Sequence, residues 1–509
     1  GELITGLEYR PRFQHLFGTP NYVSSGIVCS SPGVVISTIL YGWPLQLFRL
    51  HPKLTRCMLV IGANASHTFR PAYYTMLKTL KNGAKLIVID PRRTELAARA
   101  DLWLQVKPDT DTALLMSMIN VIINEELYDK QFVEKWCFGF DRLAQRAQDY
   151  PPEKVAEITW VPAERIREAA RMYATNKPAA SLHLLGLEQQ PNSIQSLQAR
   201  YILPAITGNL DIPGGDLIDG MHPKLMPAAE IELLDKLPPE QKRKQIGADR
   251  FRLFSWRAFD LTQRHVKRVW GTELDCAFLL LAHWPTLLRA IISDKPYPVR
   301  GWILTGTNPI MSYPNPKLVY QALKKVDLSV AMDLFLTPTC QLADYVLPAA
   351  SWLERPMFNT YQDVYPGVDF GEEVLPPQYQ RKTEYYLWRE LGIRLGQEEY
   401  WPWPTLEAAY DFRLAPMGYT LKDFIHQKGG ADHPRAEFKH YERQGFATPT
   451  GKIELYSTIL EELGYDPLPR YEEHPKSSLT PKGSKKRYPL ILINGLSREY
   501  YHSQQRQVD

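Results

Sequence analysis

The chain has 509 residues, 44% hydrophobic, 11% aromatic and 23% charged. That is beyond the size at which one core stops growing, so it implies two or more globular domains and excludes both a disordered chain and a small stapled scaffold. Lys and Arg number 60 against 56 Asp and Glu, a formal charge of +4, which leaves no broad field of one sign for steering nucleic acid or anionic lipid.

In chain order, the first notable stretch is "FGTPNYVSSGIVCSSPG" at 17–33, a loop rich in Gly, Ser and Pro that carries a solitary Cys29. "CMLVIGANAS" at 57–66 is a short apolar run ending in a Gly-Ala-Asn turn, as a buried parallel strand ends, and "AYYTMLKTLKNG" predicts a helix closed by Gly83. "AKLIVIDPRRTELAARADLWLQVKPDTDTALLMSMINVIINEELY" continues with a strand, a helix, a short strand and a long helix, a doubly wound order. "VPAERIREAARMYA" predicts a helix with Pro162 in its first turn, and "AASLHLLGLEQQ" a further strand and turn. From Met221 to about Gly271 the chain is polar and rich in Pro and Lys, and reads as an insertion or surface arm. The longest apolar stretch, "CAFLLLAHWPTLL" at 276–288, is broken by His283 and Pro285, is too short to span a bilayer, and reads as buried core. The five cysteines, Cys29, Cys57, Cys137, Cys276 and Cys340, include no C-x-x-C pair, so neighbours cannot build a zinc or iron–sulfur site. The chain opens on Gly1 and stops after an apolar run. It therefore reads as cut at both ends, leaving cytoplasm and periplasm both open.

An internal echo is the most informative feature. "LVIGANAS" is matched by "ILTGTNPI" at 303–310, and "VIDPRRTELAARADLWLQVKP" by "AMDLFLTPTCQLADYVLPA" at 331–349. Each copy has an apolar strand, Gly, a small residue and Asn, then an acid at the next strand end and Ala-Asp before a short strand. A glycine after a strand lets backbone N–H groups approach a phosphate, and an acid at the next strand end, Asp90 or Asp333, accepts from ribose hydroxyls or a base edge. Arg92 and Arg93 are placed to stack on a base or neutralise a diphosphate. Asp109, Asp111 or Asp344 would accept two N–H bonds from guanine, a pairing adenine does not offer. Two such copies imply two nucleotide-binding α/β domains.

The ordered set "GTPN", "VIGANAS", "IDPRRTELAARAD", "KPDTDTAL", "TWVPAERI", "TGNLDIPGGDL", "LTGTNPI", "ADYVLPAASWLER" and "PLILINGLSREYYHSQ" resembles the dimethyl sulfoxide reductase family. These are molybdenum or tungsten oxidoreductases carrying two molybdopterin guanine dinucleotides. The resemblance implies two doubly wound Rossmann-like αβα domains related by a pseudo-twofold, plus the start of a C-terminal β-rich domain. It places the first α/β domain at 29–220, the second at 1–28 with 221–476, and a linker and the start of the C-terminal domain at 477–509. By the same resemblance Cys29 is the metal ligand and catalytic centre. Gly62, Asn64, Asp90, Arg92, Asp109 and Asp111 match one guanosine site, and Gly306, Asn308, Asp333, Thr339 and Asp344 the other. Gln189, with Gln190, lies where the family sets a polar pair near a pterin, and Asn494, Gly495, His502 and Ser503 match the domain that covers both pterins.

The implied function is the catalytic-subunit core of an oxidoreductase of anaerobic metabolism, acting on a small substrate by oxygen-atom or proton and electron transfer. The alternative is non-redox chemistry of the kind catalysed by acetylene hydratase or pyrogallol transhydroxylase. Formate dehydrogenases of the family carry His and Arg where this chain has Ser30 and Leu496, which argues against formate. A [4Fe-4S] cluster is expected only in residues outside this chain, with an iron–sulfur electron-transfer subunit as partner, no nucleic acid and no membrane span. Two other classes compete. A cofactor-free scaffold would lack a ligand residue after "GTPN", and a plain dinucleotide dehydrogenase would need G-x-G-x-x-G, which neither Gly62 nor Gly306 heads.

Overall fold

The computed structural model describes residues 9–44, 50–218, 225–271, 274, 279–359, 367–426, 431–432, 438–473, 490–493 and 495. The chain divides into two compact units, one of Val28–Asp219 with Glu437–Asp509, the other of Gly1–Ile27 with Gly220–Ala436.

The Val28–Asp219 part of the first holds β1 (Cys57–Ile61), β2 (Lys85–Ile89), β3 (Leu102–Leu104), β4 (Cys137–Phe138) and β5 (Ala179–His183). Four of them form one parallel sheet in the order β3-β2-β1-β5. All residues of β1 and β5 are buried, as strands covered on both faces must be. Helix Arg70–Lys81 carries the chain from β1 to β2, and its Tyr73 and Met76 pack with Met58, Val60, Leu86 and Val88. The reversal of strand order at β1, with β2 on one side and β5 on the other, marks the crevice where doubly wound sheets hold ligands. Pro162 lies one residue before helix Ala163–Thr175, as its N-cap.

Residues 437–473 belong to this unit, which differs from the sequence-based boundary. Ile453–Glu454 pairs in parallel with β4, Arg146 is ion-paired with Asp466 at 3.1 Å, and the Lys439 amide donates to the Asp211 carboxylate at 2.7 Å. These are contacts between segments far apart in sequence, so no local pattern announces them.

The other unit holds β6 (Gly301–Thr305), β7 (Leu328–Asp333) and β8 (Tyr345–Pro348), a parallel sheet in that order. It also holds a small antiparallel sheet of β9 (Met357–Asn359), β10 (Gly367–Gly371) and β11 (Ala431–Asp432). Helix Pro316–Lys325 turns Val319, Ala322 and Leu323 onto Leu304 and onto Leu287, Leu288 and Ile291 of helix Trp284–Ser293. A second, aromatic core gathers Tyr9 and Phe13 with Tyr385, Trp388, Trp401 and Tyr410. The region read as a surface arm is instead structural: Ile231, Leu234, Leu237, Ile246, Trp256 and Val266 are all buried. Its many charges lie on the outward face of helices such as Trp256–Trp270, whose apolar stripe faces in. Residues 276–278, with Cys276, lie outside the described residues, whereas Leu279, Leu280, Leu281 and Ala282 are buried.

Candidate functional site

The echo in the sequence is an echo in hydrogen bonding. After β1, Gly62 takes a φ of +54° and its N–H donates to Ile89 O at 2.9 Å, across to the end of β2. After β6, Gly306 takes a φ of +57° and donates to Met332 O at 2.9 Å, across to the end of β7. Both backbones sit in the left-handed region that favours glycine. Two residues later, Asn64 O accepts from the N–H groups of His67 and Thr68, and Asn308 O from those of Met311 and Ser312. The side chains are held too: Asn64 Oδ1 accepts from Ser66 Oγ at 3.1 Å, and Asn308 Oδ1 from Thr339 Oγ1 at 2.7 Å.

The strand-end acids match as well. Asp90 Oδ1 accepts the Arg92 N–H at 2.8 Å, Asp333 Oδ1 accepts the Leu334 N–H at 2.7 Å, and burial pushes both carboxyls above the usual value. Downstream of β3, Asp109 adopts a φ of +68°, and its Oδ1 accepts from the N–H and Nδ2 of Asn192 at 3.2 and 3.1 Å. Asp111, at the start of helix Asp111–Asn124, is buried, and that burial raises its carboxyl to about 7, with Asp109 and Asp90 pushing in the same direction. Asp90, Asp109 and Asp111 thus form one electrostatic group at the carboxyl ends of the strands. Gln190 is tied to this group by its interaction with Asp111, and its Oε1 is buried without a partner. Gly495 lies against Arg92, since a methyl there would fall 1.7 Å from Nη1.

Asp344 is not brought to the corresponding place. It precedes β8, its N–H donates to Ser329 O, and its Oδ2 accepts from the N–H and Oγ of Ser329 at 2.7 Å. Ser329 is the second residue of β7, so Asp344 sits at the end of the sheet opposite Asp333, roughly 13 Å away at about 3.3 Å per residue. Its structural counterpart is Asp101, which accepts from Leu86 N–H, the second residue of β2, at 2.9 Å. Both aspartates bind the start of the neighbouring strand, at the end of the sheet opposite Asp90 and Asp333. Asn494, Leu496, His502 and Ser503 lie outside the described residues.

Cys29 is half-buried between the turn Ser25–Val28 and helix Ser31–Tyr41, with a free thiol. Burial pushes this thiol up, Ser30 hydrogen bonds pull it down, and Glu188 pushes it further up. A bound metal would reverse that balance and keep the sulfur ionised. Gln189, expected near a pterin, donates from Nε2 to Val28 O at 2.7 Å. Glu188, which residue spacing does not single out, accepts the Gly33 N–H at 3.1 Å through Oε2 and contacts His183 Nε2 at 3.0 Å through Oε1. Although these two have ion-pair geometry, burial outweighs the carboxylate and lowers the His183 pKa, so a neutral imidazole donates from Nε2. The sole sequence signal for the pair is a histidine inside the apolar strand "ASLHL".

The residues suit a metal that brings most of its own sulfur ligands: one soft thiol in an adaptable loop, and beside it a glycine turn with acids at the next strand ends. A parallel α/β chassis with such turns defines a class of protein that holds its ligands at the carboxyl ends of the strands. The family of molybdopterin oxidoreductases matches residues 36–394, and the chain belongs to that family, whose cofactor is molybdopterin with molybdenum or tungsten. It is 38% identical to acetylene hydratase of Syntrophotalea acetylenica over 96% of this chain and 66% of that protein. It is 26% identical to the molybdopterin-containing subunit of thiosulfate reductase of Salmonella typhimurium, over 89% of this chain and 61% of that one. The solved structure of acetylene hydratase from Pelobacter acetylenicus superposes with a TM-score of 0.92 at 36% identity, covering 99% of this chain and 69% of that one. The chain spans less than two thirds of the length of these two curated relatives. Among the described residues, no helix is long and apolar enough to cross a membrane.

Proposed function

We propose that the chain is the core of a molybdenum- or tungsten-dependent enzyme with two molybdopterin guanine dinucleotides, which adds water to a small unsaturated substrate as acetylene hydratase does to acetylene. The observation that carries the two-nucleotide reading is the duplicated apparatus, Gly62, Asn64 and Asp90 in one unit and Gly306, Asn308 and Asp333 in the other. The hydratase reading is supported by similarity that extends over 96% of the chain. In it, Asp90 and Asp333 accept from ribose hydroxyls, Arg92 faces the diphosphate, and Asp109 with Asp111 accepts from the N1–H and N2–H₂ edge of guanine. Thr339 holds Asn308 in place. Cys29 is the protein ligand to the metal. When bound, the metal supplies a Lewis-acid centre that activates a small polarisable substrate. Ser30, in place of the histidine of formate dehydrogenases, supports the exclusion of formate.

The second reading, oxidoreduction with an iron–sulfur electron-transfer subunit as partner, is supported by the likeness to the thiosulfate reductase subunit. One preparation separates the two. Acid hydrolysis of the released cofactor is expected to yield GMP, with molybdenum or tungsten by elemental analysis; AMP, or no nucleotide, removes the guanine assignment. Acetylene supplied without any electron acceptor is expected to give acetaldehyde, since addition of water to the triple bond needs no oxidant. Failure there, with thiosulfate or another oxyanion consumed in the presence of a reductant, selects the second reading.

A further inference from the structure

One short turn touches both halves of the site in the Val28–Asp219 unit. Residues 185–189 leave the carboxyl end of β5, beside the carboxyl end of β1. Gly186 N–H donates to Gly62 O at 3.2 Å. The two glycine backbones are so close that a methyl at Gly62 would fall 2.8 Å from Gly186 Cα, and one at Gly186 would fall 2.7 Å from Gly62 Cα. Packing against this turn therefore requires glycine at position 62, whatever lies in the crevice. The next residues reach the other way. Glu188 binds the amide of Gly33, four residues after Cys29, and Gln189 binds the carbonyl of Val28, one residue before it. A methyl at Gly33 would fall 2.6 Å from Glu188 Oε1, 3.1 Å from Tyr201 OH and 3.2 Å from His183 Nε2, so the loop is seated against this carboxylate with no room to spare. Glu188 is buried and braced from behind by His183, itself completely buried in β5.

We propose that residues 185–189 form a positioning element that fixes the Cys29 loop and the Gly62 turn to one another, with Glu188 as its principal positioning residue. The proposal rests on the assignment of Cys29 as metal ligand and of the Gly62 turn as a nucleotide site. The sulfur is thereby placed by the protein from both flanks of its loop, and a shift of the Gly62 turn is passed to Cys29 through Gly186, Glu188 and Gln189.

The test compares Glu188→Ala and Glu188→Gln in the protein carrying its cofactor, by amide hydrogen exchange with mass spectrometric readout and by X-ray absorption at the metal edge. Glu188→Ala is expected to speed exchange in residues 28–37 by roughly tenfold or more, since a buried amide loses its acceptor, and to leave helix Asp111–Asn124 unchanged. Glu188→Gln keeps an acceptor for Gly33 and is expected to restore most of the protection and the metal–sulfur shell that Glu188→Ala disturbs. Gly186→Ala is expected to speed exchange in residues 60–66 and 28–37 together. Uniform acceleration along the chain, no restoration by Gln, or a response to Gly186→Ala in one segment alone overturns the proposal. A sulfur shell unaltered in Glu188→Ala but altered in Cys29→Ser overturns the proposal by itself. A shell unaltered in both overturns the ligand assignment and the proposal with it.

Discussion

The turn after β1 and the turn after β6 share a backbone plan bond for bond, yet they sit in different surroundings. β1 is buried along its whole length, whereas in β6 only Leu304 is buried and Gly301 is exposed. Asp90 is buried and Asp333 half-buried. The comparison teaches that the geometry of the turn is set locally, by glycine at positive φ and a strand-end acid. Burial, and with it the stability cost of each residue, is set by what the rest of the unit packs on top. In the first unit the turn is also joined to the Cys29 loop through residues 185–189.

The sharpest asymmetry is that the Val28–Asp219 unit carries a half-buried thiol, Cys29, joined to its glycine turn through residues 185–189, whereas Cys340 of the other unit is buried. Cys29→Ser is expected to keep both dinucleotides, whose contacts are spread along the chain, while activity falls by more than about 100-fold as a hard oxygen replaces a soft sulfur. Nucleotide content by chromatography together with turnover checks this. Full activity without the thiol would make Cys29 a bystander.

Next is a pair that breaks the matched turns apart. Gly62→Ala meets both an unfavourable φ and the Gly186 backbone, and is expected to cost about 2–5 kcal/mol. Gly306→Ala meets the same kind of unfavourable φ, which is expected to cost about 1 kcal/mol. Urea unfolding measures both costs; a Gly62→Ala cost of only about 1 kcal/mol would mean that the Gly186 contact relaxes freely.

The third concerns the carboxylate group near β3. Asp111 rises from the usual 3.8 to about 7 in the folded protein, so across that window the folded chain holds a proton that the unfolded chain has lost. Stability contributed by this residue therefore falls as pH rises from about 4 to 7, and the penalty is complete above that range. Asp111→Asn is expected to stabilise the cofactor-free protein at pH 8, on the order of a few kcal/mol, and to change little at pH 4. Melting curves at the two pH values report it.

The smallest effect is expected at Asp344. Asp344→Asn removes the negative charge that accepts from Ser329 at an exposed strand start. It should lower the melting temperature slightly and leave nucleotide content unchanged. Loss of one nucleotide would return Asp344 to the site.

Much of this was legible in the sequence for a physical reason. Strand, turn and helix starts depend on residues a few positions apart, so "VIGAN" and "LTGTN" were readable as the same device, and Asp90 and Asp333 as the acids that follow it. Cys29 stood out because its loop is small, polar and otherwise free of cysteine. Contacts between distant segments were decided only by the tertiary structure. The repeat put Asp344 beside the nucleotide residues, but its strand runs so that Asp344 meets the start of β7. Residues 437–473 carry no mark of belonging with Val28–Asp219 until Ile453 and Glu454 pair with Cys137 and Phe138. Glu188 and His183 look like an ordinary turn acid and a stray histidine, because their importance comes from lying under Gly33, a residue far earlier in the chain. Local sequence specifies conformation and chemical type; which buried group meets which is set by packing, and a linear pattern does not record it.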